Sequence, residues 1–395
     1  MHSVEYSYLP RELWLDIFRW ATVSRRTHSL TATDYSPFES DSDASTWLDE
    51  EAIATKRALV CVCREWRCLA KSFLYEDVVL TKGACDLKCA LQDSETDQDG
   101  YWPVRRVCLP YSSCTPWESN LKVASEFVKE CPRLEVLVRP FRQHSEELIF
   151  DISAEDCPCL TALKRLDWWH YNDAARSGGF NSLPDVLDRA PNLQYLSLTG
   201  DLWLNLMRRQ RILLPKLTTL RLRRVNVLFI QELCRWSMPS LEHVILDTYP
   251  SVPAQIEPFW ENFGSQVLTV ELGKSLKFYV LDLISHVLAH CPNIEELNYY
   301  VMFAAAPHPS VERHEHIHTI RLHASPNEFV TEGSPSFWEH VEEHILAYEK
   351  PFFPALRTIV LHGDWKSHLA DPTFDRICSI VAARGCSLEF DDSFF

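Results

Sequence analysis

Leu193-Gln194-Tyr195-Leu196-Ser197-Leu198, Leu217-Thr218-Thr219-Leu220-Arg221-Leu222 and Leu241-Glu242-His243-Val244-Ile245-Leu246 carry one phrase: an apolar residue, two variable ones, a second apolar residue, and a third two places on. Working outward, the phrase recurs as Val104-Val107-Leu109, Leu134-Leu137, Leu163-Leu166-Trp168, Val267-Val270-Leu272, Ile294-Leu297-Tyr299, Ile317-Ile320-Leu322 and Leu356-Ile359-Leu361. First members lie 23 to 30 residues apart, apart from a last step of 39 that contains an extra segment around Ala304 to Phe337. The second phrase departs from the pattern, with Arg139 where a third apolar residue is expected.

A period of roughly 20–29 residues is that of leucine-rich repeats. One such repeat cannot bury its apolar face alone, so stacking makes the core and leaves a curved binding surface. Between the phrases, Asn120–Glu130, Val227–Trp236 and Leu276–His290 place apolar residues three or four apart, as helices do. Six phrases open with an X-Pro-x-Leu or X-Pro-x-Ile signature: Pro132, Pro191, Pro215, Pro239, Pro292 and Pro354. Proline fixes its own φ and drives the preceding residue out of the helical region, so it stops a helix where a strand must start. The expected fold is α/β: a helical N-terminal module at 5–80, then an irregular strand–helix solenoid over 100–395 with a parallel inner sheet.

The 395 residues carry a net charge of -16, with 46% hydrophobic and 24% charged residues. That balance supplies a core and argues against nonspecific nucleic-acid binding, which selects basic surfaces. Neither a signal-peptide pattern at Met1–Tyr8 nor a run of about 18 apolar residues is present, so the expectation is an intracellular, cytoplasmic or nuclear protein with no membrane partner. Of fourteen cysteines, Cys131, Cys157 and Cys291 each precede a proline at a helix end and read as small buried free thiols in a reducing compartment.

The first eighty residues follow another pattern. Leu9-Pro10-Arg11-Glu12-Leu13-Trp14-Leu15-Asp16-Ile17-Phe18 reads as a short amphipathic helix with Pro10 at its first turn. Leu59, Val62, Trp66, Leu69 and Phe73 keep helical spacing in a second half. Between them, residues 24–51 are acidic and rich in Ser and Thr, with no Lys or Arg from Thr27 to Thr55. This insertion is expected to be a mobile loop.

Leu9-Pro10-x-Glu12-Leu13-x-x-x-Ile17-Phe18, followed by Leu59-x-x-Val62-Cys63-Arg64-x-Trp66-Arg67-x-Leu69-Ala70 and by Leu74-Tyr75-Glu76-Asp77-Val78, resembles the F-box. It is similar to the F-box-like form of mushroom-forming fungi, in which an insertion separates the two halves. A box ahead of leucine-rich repeats is similar to the substrate receptors of SCF-type ubiquitin ligases. The resemblance implies docking on a Skp-type adaptor, and through it a cullin, by Leu9, Pro10, Leu13, Ile17, Phe18, Leu59, Val62, Cys63 and Trp66. So small a helical module cannot bury that many large side chains by itself. Leu59, Trp66 and Phe73 have a second reading, as packing against the first repeat. The whole box has one too, as a cap on a repeat scaffold or receptor unconnected with ubiquitin.

Alternation along a strand turns the residues between the apolar ones outward. The expected substrate-facing set is Trp169, Tyr195, Arg221, Arg223, Asp247, Tyr300 and Arg321, with Arg165 and Asp167 also outward. Aromatic and arginine clusters are enriched at binding hot spots, and paired arginines suit an acidic or phosphorylated signal on an unknown protein substrate.

No catalytic role is expected, and no cofactor or metal. His314-Glu315-His316-Ile317-His318 and His340-Val341-Glu342-Glu343-His344 match zinc-protease strings and its inverted form, which need a helix to converge both histidines on one ion. The first runs into a repeat strand. The second lies on a helix, Phe337–Tyr348, whose buried face is Trp338, Val341, Ile345 and Tyr348, and it lacks an evident third ligand.

Overall fold

The X-Pro-x-Leu signatures close as turns. In the computed structural model the amides of Leu134, Leu193, Leu217, Leu241, Ile294 and Leu356 each donate to the carbonyl three residues back, at 3.1–3.3 Å. Proline thus stands at the second position of a β-turn, where its fixed φ is already correct. The structure describes residues 9–22, 34–39, 50–80, 84–92, 102–109, 125–139, 157–176, 178–202, 211–250, 252–308, 313–327, 337–365, 369 and 371–391. Its chain divides into two units: Met1–Thr33 with Glu39–Leu193, and Asp34–Phe38 with Gln194–Phe395.

In the N-terminal unit, α1 (Arg11–Thr22), α2 (Glu50–Val62) and α3 (Arg64–Glu76) precede β1 (Asp77–Val79). Cys63 separates α2 from α3, and its thiol accepts the Trp66 amide at 3.4 Å. There follow α4 (Ala84–Gln92), β2 (Arg106–Cys108), β3 (Val136–Arg139), β4 (Arg165–Trp169), α5 (Asn172–Arg176) and α6 (Leu183–Asp188). The four strands pair parallel in chain order, and Val78, Val107, Leu137 and Leu166 form one buried row across them. Of the helix expected over Asn120–Glu130, residues 125–129 are helical and 120–124 lie outside the described residues. Arg139 takes the third apolar place by setting its charge over an aromatic neighbour: its guanidinium carbon sits 4.4 Å from the centroid of Trp168, its partner in register. Its Nη1 donates to the Asn181 carbonyl at 2.9 Å, so the buried cation has both a π face and a carbonyl.

The C-terminal unit runs β5 (Tyr195–Gly200), β6 (Thr219–Val225), α7 (Val227–Leu233), β7 (His243–Leu246), α8 (Glu257–Phe263), β8 (Thr269–Leu272), α9 (Leu276–Val280), α10 (Leu283–His290), β9 (Glu296–Tyr300), β10 (Thr319–His323), α11 (Phe337–Ala347), β11 (Thr358–His362), α12 (Pro372–Ala383) and β12 (Ser387–Asp391). Its strands are also parallel and in chain order. Leu196, Leu220, Val244, Val270, Leu297, Ile320 and Ile359 make a continuous buried row. Each such side chain removed from water contributes roughly 1.5–3 kcal/mol, so the row is a main source of cohesion. The architecture is therefore α/β, with parallel strands alternating with helices.

Local chemistry sets the helix limits. Asn226 caps α7 by accepting the Phe229 amide at 3.1 Å, and Asp282 caps α10 by accepting the Ser285 amide at 2.9 Å. The Asp282 cap explains why the single helix expected over Leu276–His290 is two, with Leu281 extended between them. The helix expected to reach Trp236 stops at Leu233. All ten phrases coincide with strands, and two strands extend the series, β1 before and β12 after. The first strand therefore begins inside the stretch assigned to the end of the helical module.

Candidate functional site

The residues singled out in the sequence fall on both units. In the N-terminal unit Phe18, Leu69, Ala70 and Phe73 form a small core, with Trp14, Leu15, Leu59, Val60 and Trp66 packed against it. Phe18 meets Trp66 edge-on at 4.9 Å and Trp14 at 5.9 Å. Phe18 was expected among the docking residues; it is instead fully buried in the module's own core. Leu59 and Trp66 are half-buried in the same cluster, so they too serve the module's own core.

Helical geometry places the remaining apolar residues of α1 on the other side. Leu9, Leu13, Ile17 and Trp20 are 44–84% exposed, and Val62 at the end of α2 is 59% exposed. Pro10 and Cys63 are exposed as well. The module is joined to the first strands by charge. Lys56 of α2, itself buried, donates to Asp77 Oδ2 at 2.9 Å, and the Arg106 guanidinium pairs with Asp77 Oδ1. Burial alone would raise the Asp77 pKa, but Arg106 and Lys56 together hold it below the usual carboxylate value.

In the C-terminal unit the strand positions facing away from the buried row are mostly polar. Pairing registers line up His243, Thr269, Glu296 and Thr319 in one row. Ile245, Glu271, Asn298 and Arg321 form the next, and Tyr300, His323 and His362 the third. Residues Asp34–Phe38 lie on this face. The Tyr35 ring stacks on His243 at 4.8 Å, its hydroxyl donates to Glu271 Oε2 at 2.8 Å, and Asn298 Nδ2 donates to the same hydroxyl. The Phe38 amide donates to that carboxylate oxygen too, at 2.8 Å. The Phe38 ring sits among Tyr300 (5.1 Å), His323 (5.0 Å) and His362 (4.8 Å).

Burial raises the Glu271 carboxyl to about 7, against the pull of the Phe38 amide, Arg221 and Tyr35. His323 moves the opposite way, to about 3, because burial and the neighbouring His362 and Lys274 disfavour its cation. Phe38 has φ 56°, a left-handed conformation that costs a bulky residue about 1–3 kcal/mol and persists only where its surroundings hold it. Part of the insertion expected to be mobile is thus seated. The reason is aromatic burial and two hydrogen bonds to one carboxylate, in a stretch whose composition suggested only solvation. Glu39, in the N-terminal unit, is also buried, and its Oε1 accepts from Arg165 Nη2 at 2.6 Å. The rest of 24–51, apart from Glu50 and Glu51 in α2, lies outside the described residues.

The expected substrate-facing residues are distributed differently from the reading made of them. Arg165 and Asp167, read as outward and exposed, are buried and paired at 2.8 Å. Trp169, half-buried, belongs to the N-terminal unit, and the other six belong to the C-terminal unit. Tyr195 is fully buried rather than presented. Arg221 is buried and donates through Nε and Nη2 to the two oxygens of Asp247, at 2.7 and 2.8 Å, while Arg223 Nε stands 3.1 Å from Oδ2. An arginine pair offered to an acidic signal is therefore corrected to one engaged by an internal carboxylate. Arg321 donates to Glu296 Oε1 at 2.9 Å. Tyr300 touches the seated segment, through Phe38.

The zinc-protease strings occupy ordinary repeat positions. His314 stacks on Phe353 at 5.1 Å, and His318 directly precedes β10. His340 and His344 lie on α11, where the expected face of Trp338, Val341, Ile345 and Tyr348 is buried, and the two histidines are buried as well. Their Nε2 atoms point at the carbonyls of Val301 and Ala304, at 3.0 and 3.1 Å. Tyr348 donates to the Tyr299 hydroxyl, which in turn meets His344 Nδ1 at 3.1 Å, fixing a neutral imidazole with its proton on Nε2. Cys131 and Cys291 are buried free thiols raised to about 12 by burial, and Cys157, half-buried, is raised equally.

The sequence matches no protein-family model and no characterised protein. Among the described residues no helix is long and apolar enough to cross a membrane.

Proposed function

We propose that the chain is a non-catalytic substrate receptor of an SCF-type ubiquitin ligase, with an F-box-like module docking a Skp-type adaptor and a leucine-rich-repeat domain holding a protein client. The observation that carries this reading is the apolar stripe of Leu9, Leu13, Ile17, Trp20 and Val62, left exposed beside a module whose own core is already closed. Exposed apolar side chains gathered on one small module mark a protein interaction site. The chain's contribution would be proximity, raising the effective concentration of client lysines at ubiquitin activated elsewhere. Such a role belongs in the cytoplasm or nucleus.

A second reading, in which the module only caps the first strands of a scaffold, draws on the Lys56–Asp77–Arg106 cluster. Co-expression of the full chain with a Skp-type adaptor separates them. On the receptor reading the two co-purify, and Leu13→Asp with Ile17→Asp abolishes the complex while leaving the melting temperature within a few degrees of wild type. Phe18→Ala, by contrast, should cost about 3–5 kcal/mol of stability. A monomer that ignores the adaptor, or a complex indifferent to the two aspartates, overturns the receptor reading.

A further inference from the structure

Tyr35 and Phe38 meet the C-terminal unit as a ligand meets a site. The strands that form the polar face pair completely with one another, and the buried row seals their other side, so neither needs the segment. What Asp34–Phe38 adds is a short peptide, turned at Pro37–Phe38, whose two rings occupy two separate aromatic niches and whose hydroxyl and amide converge on Glu271. Aromatic side chains set in separate pockets, together with a backbone amide anchored on a polar group, are a means by which short peptides are recognised.

The fit is also incomplete. Phe38 is held at positive φ, and Asn298 Oδ1, in a fully buried side chain, accepts no hydrogen bond among the described residues. A segment that relaxed the first and supplied a donor to the second would bind better than the resident.

We propose that the polar face of β7 to β11 is a peptide-recognition site for a short, turned segment carrying a tyrosine and, three residues on, a phenylalanine, and that Asp34–Phe38 is its tethered occupant, displaced when a client binds. The proposal does not depend on whether the helical module docks an adaptor. Glu271 reads the tyrosine hydroxyl and the phenylalanine amide, His243 stacks on the first ring, and Tyr300, His323 and His362 enclose the second. Tethering gives the resident an effective concentration on the order of millimolar. Against an intrinsic Kd of about 10–100 μM, it would therefore weaken a free competitor roughly 10- to 100-fold.

The test uses the full-length chain and a fluorescein-labelled peptide of residues 32–40, Ala-Thr-Asp-Tyr-Ser-Pro-Phe-Glu-Ser. Fluorescence anisotropy should show the double variant Tyr35→Ala/Phe38→Ala binding this peptide at least about tenfold more tightly than wild type. A peptide with alanine in place of both aromatics should not bind, and adding Glu271→Ala to the double variant should abolish capture. Should the double variant lose its cooperative melt, Tyr35→Phe keeps both rings and removes one hydrogen bond. It too should bind more tightly than wild type. Equal affinity for wild type and the folded variant, or binding that survives loss of both aromatics from the peptide, overturns the proposal.

Discussion

The hydroxyl of Tyr35 donates to Glu271 at 2.8 Å across 236 positions of sequence, and the acceptor is a carboxyl raised to about 7. Two donors from one short segment therefore converge on a group that titrates near neutrality.

Glu271 binds its proton more tightly folded than unfolded, so its contribution is fully present below the unfolded value of 4.5 and is lost as pH rises through about 7. Arg221, Asp247, Tyr35 and the Phe38 amide all face it. Melts of wild type and Glu271→Gln between pH 4.5 and 8 should differ by a term that moves against wild type by about 3 kcal/mol. A difference independent of pH would show that the carboxyl is ionised throughout.

His344 behaves with the opposite sign. Burial, and then the neighbouring His340, lower it to about 3, so its contribution is present above the unfolded value of 6.5 and is lost as pH falls toward 3. His323, also lowered to about 3, adds to the effect. Together the two outweigh Glu271, and near-UV circular dichroism should show stability declining below about pH 6. His344→Gln should flatten that decline, and an unchanged slope would count against the neutral imidazole.

Arg221→Glu tests the buried pair. Removing one partner of a buried, hydrogen-bonded ion pair typically costs about 3–5 kcal/mol. Here the new carboxylate would also face Asp247 and Glu271. Urea denaturation should show a loss of that size, whereas Arg321→Glu, at a half-buried pair with Glu296, should cost less. If Arg221→Glu retains wild-type stability, the arginine is available to a ligand after all.

The strands were legible because their signal is local. Leu217-Leu220-Leu222 and its counterparts state their period and their inward face within six residues, and Pro-x-Leu or Pro-x-Ile marks the start of six of the ten. Asp77–Val79 was missed because it follows α3 without a proline turn and offers one inward residue, Val78. Ser387–Asp391 was missed because Leu388 and Phe390 stand without the earlier apolar member that opens every phrase. Alternation identified which residues leave the core, but not what covers them. Tyr35 and Glu39 sit in an acidic, serine-rich stretch, and nothing near them in sequence names Glu271 or Arg165 as partners. Phe18 shares the helical spacing of Leu13 and Ile17; only the position of α3 decides that it points inward.

The junction at Glu76 and Asp77 fixes an angle. Helix α3 ends on the residue before β1 begins, with no spacer, and Asp77 is gripped from both sides by Lys56 and Arg106. The stripe on α1 and the opening strands of the N-terminal unit therefore turn as one lever rather than swinging on a hinge. Whatever attaches at that stripe inherits a set bearing toward β1 to β4, and lengthening the junction by even a short glycine insert would cost the protein its aim before it cost the protein its fold.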